Sequence, residues 1–485
     1  EVKDDTLCVN GTPVVIKGSF RFEHSPTGGR TVSTEERMQD IRLMKRFNLN
    51  AVRSPVHPND PEWYDMTDRY GLYVDCEAML ETHANWELPQ QEEWKPAVFD
   101  RFKRTLEWAK NHPSIIMWCT GNEHGQSSAT RRMATYARKR DDRLMLTEGG
   151  ERTAPFADIN GDCNYCNPPQ LERAGNPGAG TYRSSDPPNE RPGKPIVLGE
   201  YAHASGNSLG FFPELWEHID RYPRLQGGFQ FDWLDQGVYE EHEGRTYLDY
   251  VEQLDGPFSI CGMVFGDRTP QPEYFEFKHV IQPVDVEPVD LASGRLRVWN
   301  EYDFTNLAHR FEIRWTLKED DRTLQSGTFV PDVPPDARRE IELPIQKPEL
   351  RAGSEYWLEL SFRLVRETPW APKGYEMAWE QFEMPWDVPA APVRSTSGMP
   401  ALSVETDGDR TVVSRRGFSC TFDRTEGTLS GLAWDGEELI KDGPVLNVWR
   451  APTSNAQMWA WNMDKPWRKA GLNRLLASLL SGEVA

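Results

Sequence analysis

Two carboxylates stand at the ends of runs that read as buried strands. In IVLGEYAHASGNS, residues 196–208, three apolar residues and Gly199 lead into Glu200. In IIMWCTGNEHG, residues 115–125, an apolar run stops at Gly121 and Asn122, and Glu123 follows at once. A carboxylic acid that protonates a leaving oxygen and an ionised carboxylate that attacks the anomeric carbon are the pair that cleaves a glycosidic bond. A separation of about 5 Å gives a covalent glycosyl-enzyme and retention, whereas a wider gap admits water and gives inversion. The spacing along the chain leaves both outcomes open. A lone glutamate at a strand end is ordinarily a solvated surface residue, so the pair acquires meaning only if one scaffold carries both.

The scaffold is legible as alternation. From about residue 12 to 280, short β-like runs alternate with amphipathic helical segments, the pattern of a parallel α/β fold. VVIKGSF (14–20) reads as the first strand. Ser33 and Glu36 then form a capping box before Met38, Ile41, Met44 and Phe47, which recur at helical spacing. LNAVRS (49–54) follows, then a helix that opens at Pro61 and stops at Gly71. LYVDCE (72–77), SIIMWCTGNE (114–123), RLMLTEG (143–149), DINGDCNY (158–165), IVLGE (196–200) and GGFQFDW (227–233) complete eight strand units. That number predicts a (β/α)8 TIM barrel, whose chemistry gathers at the C-terminal ends of its strands. Glu77 and Glu81 fall after strand three, Asn122 and Glu123 at strand four, Tyr165 at strand six, Glu200 at strand seven, and Trp233 and Asp235 after strand eight. A doubly wound open sheet is the rival, but no Gly-rich phosphate fingerprint stands at its first turn.

Beyond a Pro- and Val-containing linker at 282–290, helical periodicity gives way to alternation in RLRVWNEY, RFEIRWTLK, EIELPI and EYWLELSFRLV, which predicts an immunoglobulin-like β-sandwich. PWDVPAAPVRSTSGMP (385–400) reads as a second linker, and the strand-like remainder as the incomplete N-terminal part of a large β-sandwich domain. The predicted divisions are 1–285 for the catalytic barrel, 286–386 for the immunoglobulin-like sandwich, and 387–485 for the linker and last part.

A net charge of −21 excludes nucleic acid as a natural partner, because phosphate binding needs clustered Lys and Arg. No window approaches the apolar length of a membrane helix. The expected partner is a neutral small molecule. Seven cysteines, an odd count in which only Cys163 and Cys166 sit close together, suit free thiols better than a disulfide framework, which points toward a cytoplasmic, reducing compartment.

The segments ETH (81–83), NHPSIIMWCTGNE (111–123), EYAHASGNSLG (200–210), YPRLQGGFQFDWLDQ (222–236) and FGDRTPQP (265–272) resemble the β-galactosidases of glycoside hydrolase family 2. The resemblance covers essentially the whole chain. It implies a retaining hydrolysis of terminal β-D-galactose, with Glu123 as acid/base and Glu200 as nucleophile. It also implies that Asn122, Tyr165, His203, Arg53 and Phe231 bind the sugar, and that the full-length form is a homo-oligomer. Glu81 and His83, two apart past a strand end, could converge with Glu123 on Mg²⁺, a hard cation that keeps part of its water shell. The same resemblance implies a Na⁺ site near the Phe258 carbonyl, where Cys261 puts a soft thiol in place of an amide oxygen.

This chain departs from the family's pattern where Phe22 and Val56 stand for histidines, with His57 one residue on, and where Phe231 stands for a tryptophan. The family also carries a jelly roll and a sandwich before the barrel that this sequence does not match. Two alternatives follow: another retaining β-glycosidase on the same scaffold, and an inactive carbohydrate-binding fragment.

Overall fold

A computed structural model describes the chain except residues 148–155, 162–165, 177–193, 207, 250–258, 394, 442, 445–446, 454–455, 457–462 and 476–485. Residues Glu1–Pro389 form one compact unit and Ala390–Ala485 a second. The first unit opens with a small antiparallel sheet of β1 (Val2–Lys3), β2 (Thr6–Val9) and β3 (Thr12–Pro13). The apolar alternation there is too short to register in the sequence.

The barrel follows as β4 (Ile16–Phe20), α1 (Thr34–Arg46), β5 (Ala51–Ser54), α2 (Pro61–Tyr70), β6 (Tyr73–Glu77), α3 (Lys95–Ala109), β7 (Ile115–Cys119), α4 (Ser128–Arg140), β8 (Leu144–Thr147), β9 (Ile159–Asn160), α5 (Pro168–Gly175), β10 (Ile196–Tyr201), α6 (Phe212–Arg221) and β11 (Leu225–Gln230). The eight strands close in the order β10-β11-β4-β5-β6-β7-β8-β9, and the pairings are parallel. Local chemistry fixes the helices. Ser33 accepts from the Glu36 amide while Glu36 reaches back to Ser33, which satisfies two otherwise orphaned donors at the start of α1. Pro61 opens α2 behind the Asp60 cap, and Gly71, at φ 75°, ends it.

Because side chains alternate along a strand, most of the barrel strands feed two cores. Val52, Val74, Cys76, Trp118 and Leu198 pack outward against Trp63, Phe102, Met133 and Phe212. Ile16, Ala51, Met117, Ile159, Val197 and Phe229 fill the lumen, which Leu7 and Val14 adjoin. The same period turns Arg53, two after Ala51, and Asp75 and Glu77, two and four after Tyr73, inward above that apolar floor. All three are wholly buried.

After β12 (Val238–His242), β13 (Arg245–Asp249) and α7 (Pro272–Val280), a three-stranded sheet of β14 (Val284–Asp290), β15 (Arg295–Asn300) and β18 (Arg338–Glu342) faces a four-stranded one. The second comprises β16 (Phe311–Glu319), β17 (Arg322–Phe329), β19 (Tyr356–Leu364) and β20 (Glu376–Glu383), and the two share a core that includes Leu296, Val298, Ile313, Trp315, Leu360 and Phe362. β19 alternates strictly between buried and half-buried positions, as a sandwich strand must. Barrel and sandwich are bolted together by buried polar contacts. Lys17 donates to the carbonyls of Ile281 and Gln282 and pairs with Glu301 at 2.6 Å, and Asn48 donates to the carbonyls of Lys278 and Met377. The second unit holds a five-stranded antiparallel sheet over Ser403–Ile440.

Three differences from the sequence reading stand out. The eighth barrel strand begins earlier and ends at Gln230, so Phe231 to Trp233 lie beyond it. The sixth is only Ile159–Asn160, and Tyr165 lies outside the described residues. Cys166 is disulfide-bonded, so not every cysteine is a free thiol, although Cys8, Cys76, Cys119, Cys261 and Cys420 are. Among the described residues no helix is long and apolar enough to cross a membrane.

Candidate active site

The upper end of the barrel is organised by Arg53. Its Nε donates to Glu77 Oε2 at 2.9 Å, its Nη1 to the Gly199 carbonyl at 2.8 Å, and its Nη2 to Asn122 Oδ1 at 3.0 Å and to Glu77. Asp75 lies 3.6 Å from Nε. Both Arg53 and Glu77 have no exposed side-chain surface. Burial pushes the Glu77 carboxyl up to about 8, while the Arg53 guanidinium and the Val56 amide pull the other way. With two guanidinium nitrogens and an amide donating to it, the ionised form is the one these contacts hold.

Arg53, expected from sequence to bind the sugar, is wholly buried, with Nε, Nη1 and Nη2 engaged by Glu77, the Gly199 carbonyl and Asn122. It is a positioning residue under the site. Sequence reasoning missed Glu77 and Asp75 as its partners, although charges inside runs as apolar as AVRS and YVDCE are themselves a signal, because fully buried charges come paired.

Asn122 transmits this order outward. Its Nδ2 donates to Glu81 Oε2 at 2.6 Å, and its backbone amide to the Leu80 carbonyl at 2.8 Å. Gly121 makes the approach feasible, since a Cβ there would sit 2.4 Å from the Leu80 carbonyl oxygen. Glu123 then takes a left-handed backbone at φ 38°, costly for a non-glycine residue and frequent at functional sites. Its carboxylate meets His83 Nδ1 at 2.6 Å and is largely shielded, at 18% exposure.

Glu200 is buried near the end of β10, and its Oε1 lies 2.6 Å from His203 Nε2. The His203 ring stacks on Phe231 with centroids 4.7 Å apart. Phe231 in turn meets Phe20 at 5.2 Å and Phe22 at 6.1 Å, edge to face. The structure thus brings Glu200, His203 and Phe231 into one line. Trp233 and Asp235 are not part of that surface. Trp233 is buried and donates its Nε1 to Asp40, while Asp235 accepts from the Gly262 amide and from Gln271. Asp40, fully buried, also binds Arg21 and Arg268, and nothing in its helical spacing marks that role.

Glu81, His83 and Glu123 place one ligand atom each within 4.8 Å of one another. Two carboxylate oxygens and an imidazole nitrogen on an open rim fit a hydrated divalent cation. The sodium expectation fares differently. Phe258 lies outside the described residues, and Cys261 is a buried thiol 2.8 Å from Ser205 Oγ, its pKa pushed up first of all by burial. A protonated thiol is a poor donor for a hard monovalent ion, so Cys261 does not fit that role.

Comparison with known proteins gives matches along the chain. Residues 1–286 match the model described as glycosyl hydrolases family 2, TIM barrel domain; residues 296–385 match β-galactosidase, domain 4; and residues 414–484 match β-galactosidase small chain. A β-galactosidase of Priestia megaterium is 36% identical over 477 residues, covering 94% of this chain and 44% of the relative. Beta-galactosidase 2 of Enterobacter cloacae is 33% identical over 510 residues, covering 100% and 48%. The chain spans less than half the length of either relative. Among solved structures, a β-glucuronidase from Ruminococcus gnavus aligns over 57% of this chain and 51% of its own, with 17% identity and a TM-score of 0.46.

Proposed function

The chain belongs to glycosyl hydrolase family 2, and from that premise we propose that it hydrolyses terminal, non-reducing β-D-galactose from β-galactosides with retention of configuration. The observation that carries the reading is the reach of Arg53. One guanidinium holds Asn122 and the Gly199 carbonyl, the residues immediately before Glu123 and Glu200, so both carboxylates ride on a single rigid element. The names borne by the relatives supply the sugar.

In this mechanism Glu123, in its acid form, protonates the glycosidic oxygen while Glu200 attacks the anomeric carbon. The bond to the leaving group breaks as the bond to Glu200 Oε forms. Glu123, now ionised, takes a proton from water, and that water displaces Glu200 with a second inversion. His203 orients the Glu200 carboxylate through their 2.6 Å contact, and Phe231 offers an aromatic face to the ring's apolar side. In this reading Asn122, held by Arg53 and Glu81, meets a sugar hydroxyl.

Glu81, His83 and Glu123 would hold Mg²⁺, whose charge would favour ionised carboxylates around it. Proton NMR of an aryl β-galactoside digest tests the reading: β-galactose appears first and mutarotates afterwards. An initial α-anomer contradicts retention, and no turnover contradicts the assignment.

A further inference from the structure

Arg30 sits in the loop between β4 and α1, at the mouth of the barrel, and pairs with no carboxylate among the described residues. Glu23, whose charge reaches it, is already engaged by Arg21 and Arg37. The side chain is nonetheless held in place. Its Nη1 donates to the Glu23 carbonyl at 3.4 Å and meets His57 Nε2 at 3.1 Å, and its guanidinium carbon lies 5.8 Å from the centre of the Phe22 ring. His57 Nδ1 faces the Pro55 carbonyl at 3.2 Å, so the ring donates there and accepts from Arg30, which is the neutral tautomer's pattern.

These contacts use one edge of the guanidinium. The Nε and Nη2 edge makes no hydrogen bond among the described residues, and that edge takes two oxygens of one anion. Phe22, under Arg30, leads by way of Phe231 and His203 to Glu200. A chain of net charge −21 repels anions at large, so an anionic ligand approaches only where a local cation offsets the field.

We propose that Arg30, oriented by His57 and Phe22, binds an anionic substituent, a carboxylate or a sulfate ester, on the sugar of the β-galactoside, making acidic galactosides the preferred substrates. This rests on the galactoside reading above.

The test compares kcat/KM for an aryl β-galactoside, the corresponding β-galacturonide and the β-galactoside 6-sulfate. One acidic substrate should exceed the neutral one by about tenfold, the scale of a hydrogen-bonded charge pair, and which of the two does so identifies the group. The acid-to-neutral ratio should fall as salt is raised. It should collapse about tenfold in Arg30→Gln and recover in part in Arg30→Lys, which keeps the charge but loses the two-oxygen fork. Turnover of acidic substrates alone upholds this inference and corrects the neutral-galactoside reading. Neutral turnover with no acidic preference, or a ratio that Arg30→Gln leaves in place, overturns it. Should that variant misfold, a salt-independent ratio in the unaltered protein overturns it equally. Turnover of none of the three removes the galactoside reading and this inference with it.

Discussion

Arg53→Met removes a group that links the two halves of the site, and the structure sets the size of the effect. The side chains of Arg53 and Glu77 are both fully buried, and the pair is joined through two guanidinium nitrogens. Deleting one partner of such a pair leaves an uncompensated buried charge, at about 3 to 5 kcal/mol. The Gly199 carbonyl and Asn122 Oδ1 lose their donor in the same step, which would add about 1 to 3 kcal/mol each if they stayed dry. Those costs overlap, because the cavity left by the guanidinium admits water. The expected loss is therefore about 3 to 5 kcal/mol, a large share of the roughly 5 to 15 kcal/mol that stabilises a domain. Urea unfolding followed by tryptophan fluorescence reads it as a lower midpoint at constant slope.

Arg53→Lys separates charge from geometry. An ammonium neutralises Glu77 but does not reach Glu77, Gly199 and Asn122 together. That variant should recover much of the stability while its turnover stays depressed by about tenfold or more, the scale of losing a positioning contact. A stability for Arg53→Met within about 1 kcal/mol of the unaltered protein would refute the reasoning.

Glu81→Gln strips a charge and a ligand from the candidate cation site, so Mg²⁺ affinity measured by calorimetry should drop at least about tenfold; unchanged affinity places any ion elsewhere. At the junction of barrel and sandwich, burial pushes the Glu380 carboxyl up to about 7, against the hydrogen bond from Gln282. Its folded pKa stands above its unfolded one, so its contribution is fully present at acid pH. It is lost as pH rises through about 7, by on the order of 3 kcal/mol. Glu380→Gln should flatten that part of the stability profile, and an unchanged slope between about pH 5 and 8 counts against this account.

The barrel was legible because its signals are local. Parallel strands buried on both faces leave short apolar runs, and the Ser33 and Glu36 box, Pro61 and Gly71 mark helix ends by chemistry that needs no distant partner. The carboxylates were legible as strand-end residues. The network beneath them was not. Arg53 looks like a rim residue until β5 and β6 are paired in register, Arg53 opposite Asp75, which turns both into the lumen. Asp40 lies on a helix whose spacing predicts only an apolar stripe, yet it joins Arg21, Trp233 and Arg268 from three separate segments. Contacts between segments so far apart leave no periodic trace in a single sequence. The fate of Cys261 is of the same kind, since its burial against Ser205 depends on how two loops meet.

Intact-protein mass spectrometry with an activated 2-fluoro-β-galactoside tests the division of labour between Glu200 and Glu123 most directly. Fluorine at C2 slows the second displacement more than the first, so the glycosyl-enzyme accumulates on whichever carboxylate is the nucleophile. The unaltered protein should gain one sugar, mapped by peptide digestion to Glu200. Glu123→Gln should still be labelled, because a good leaving group needs no acid, and Glu200→Gln should not. Labelling of Glu200→Gln at the unaltered rate, or an adduct on Glu123, would contradict the assignment.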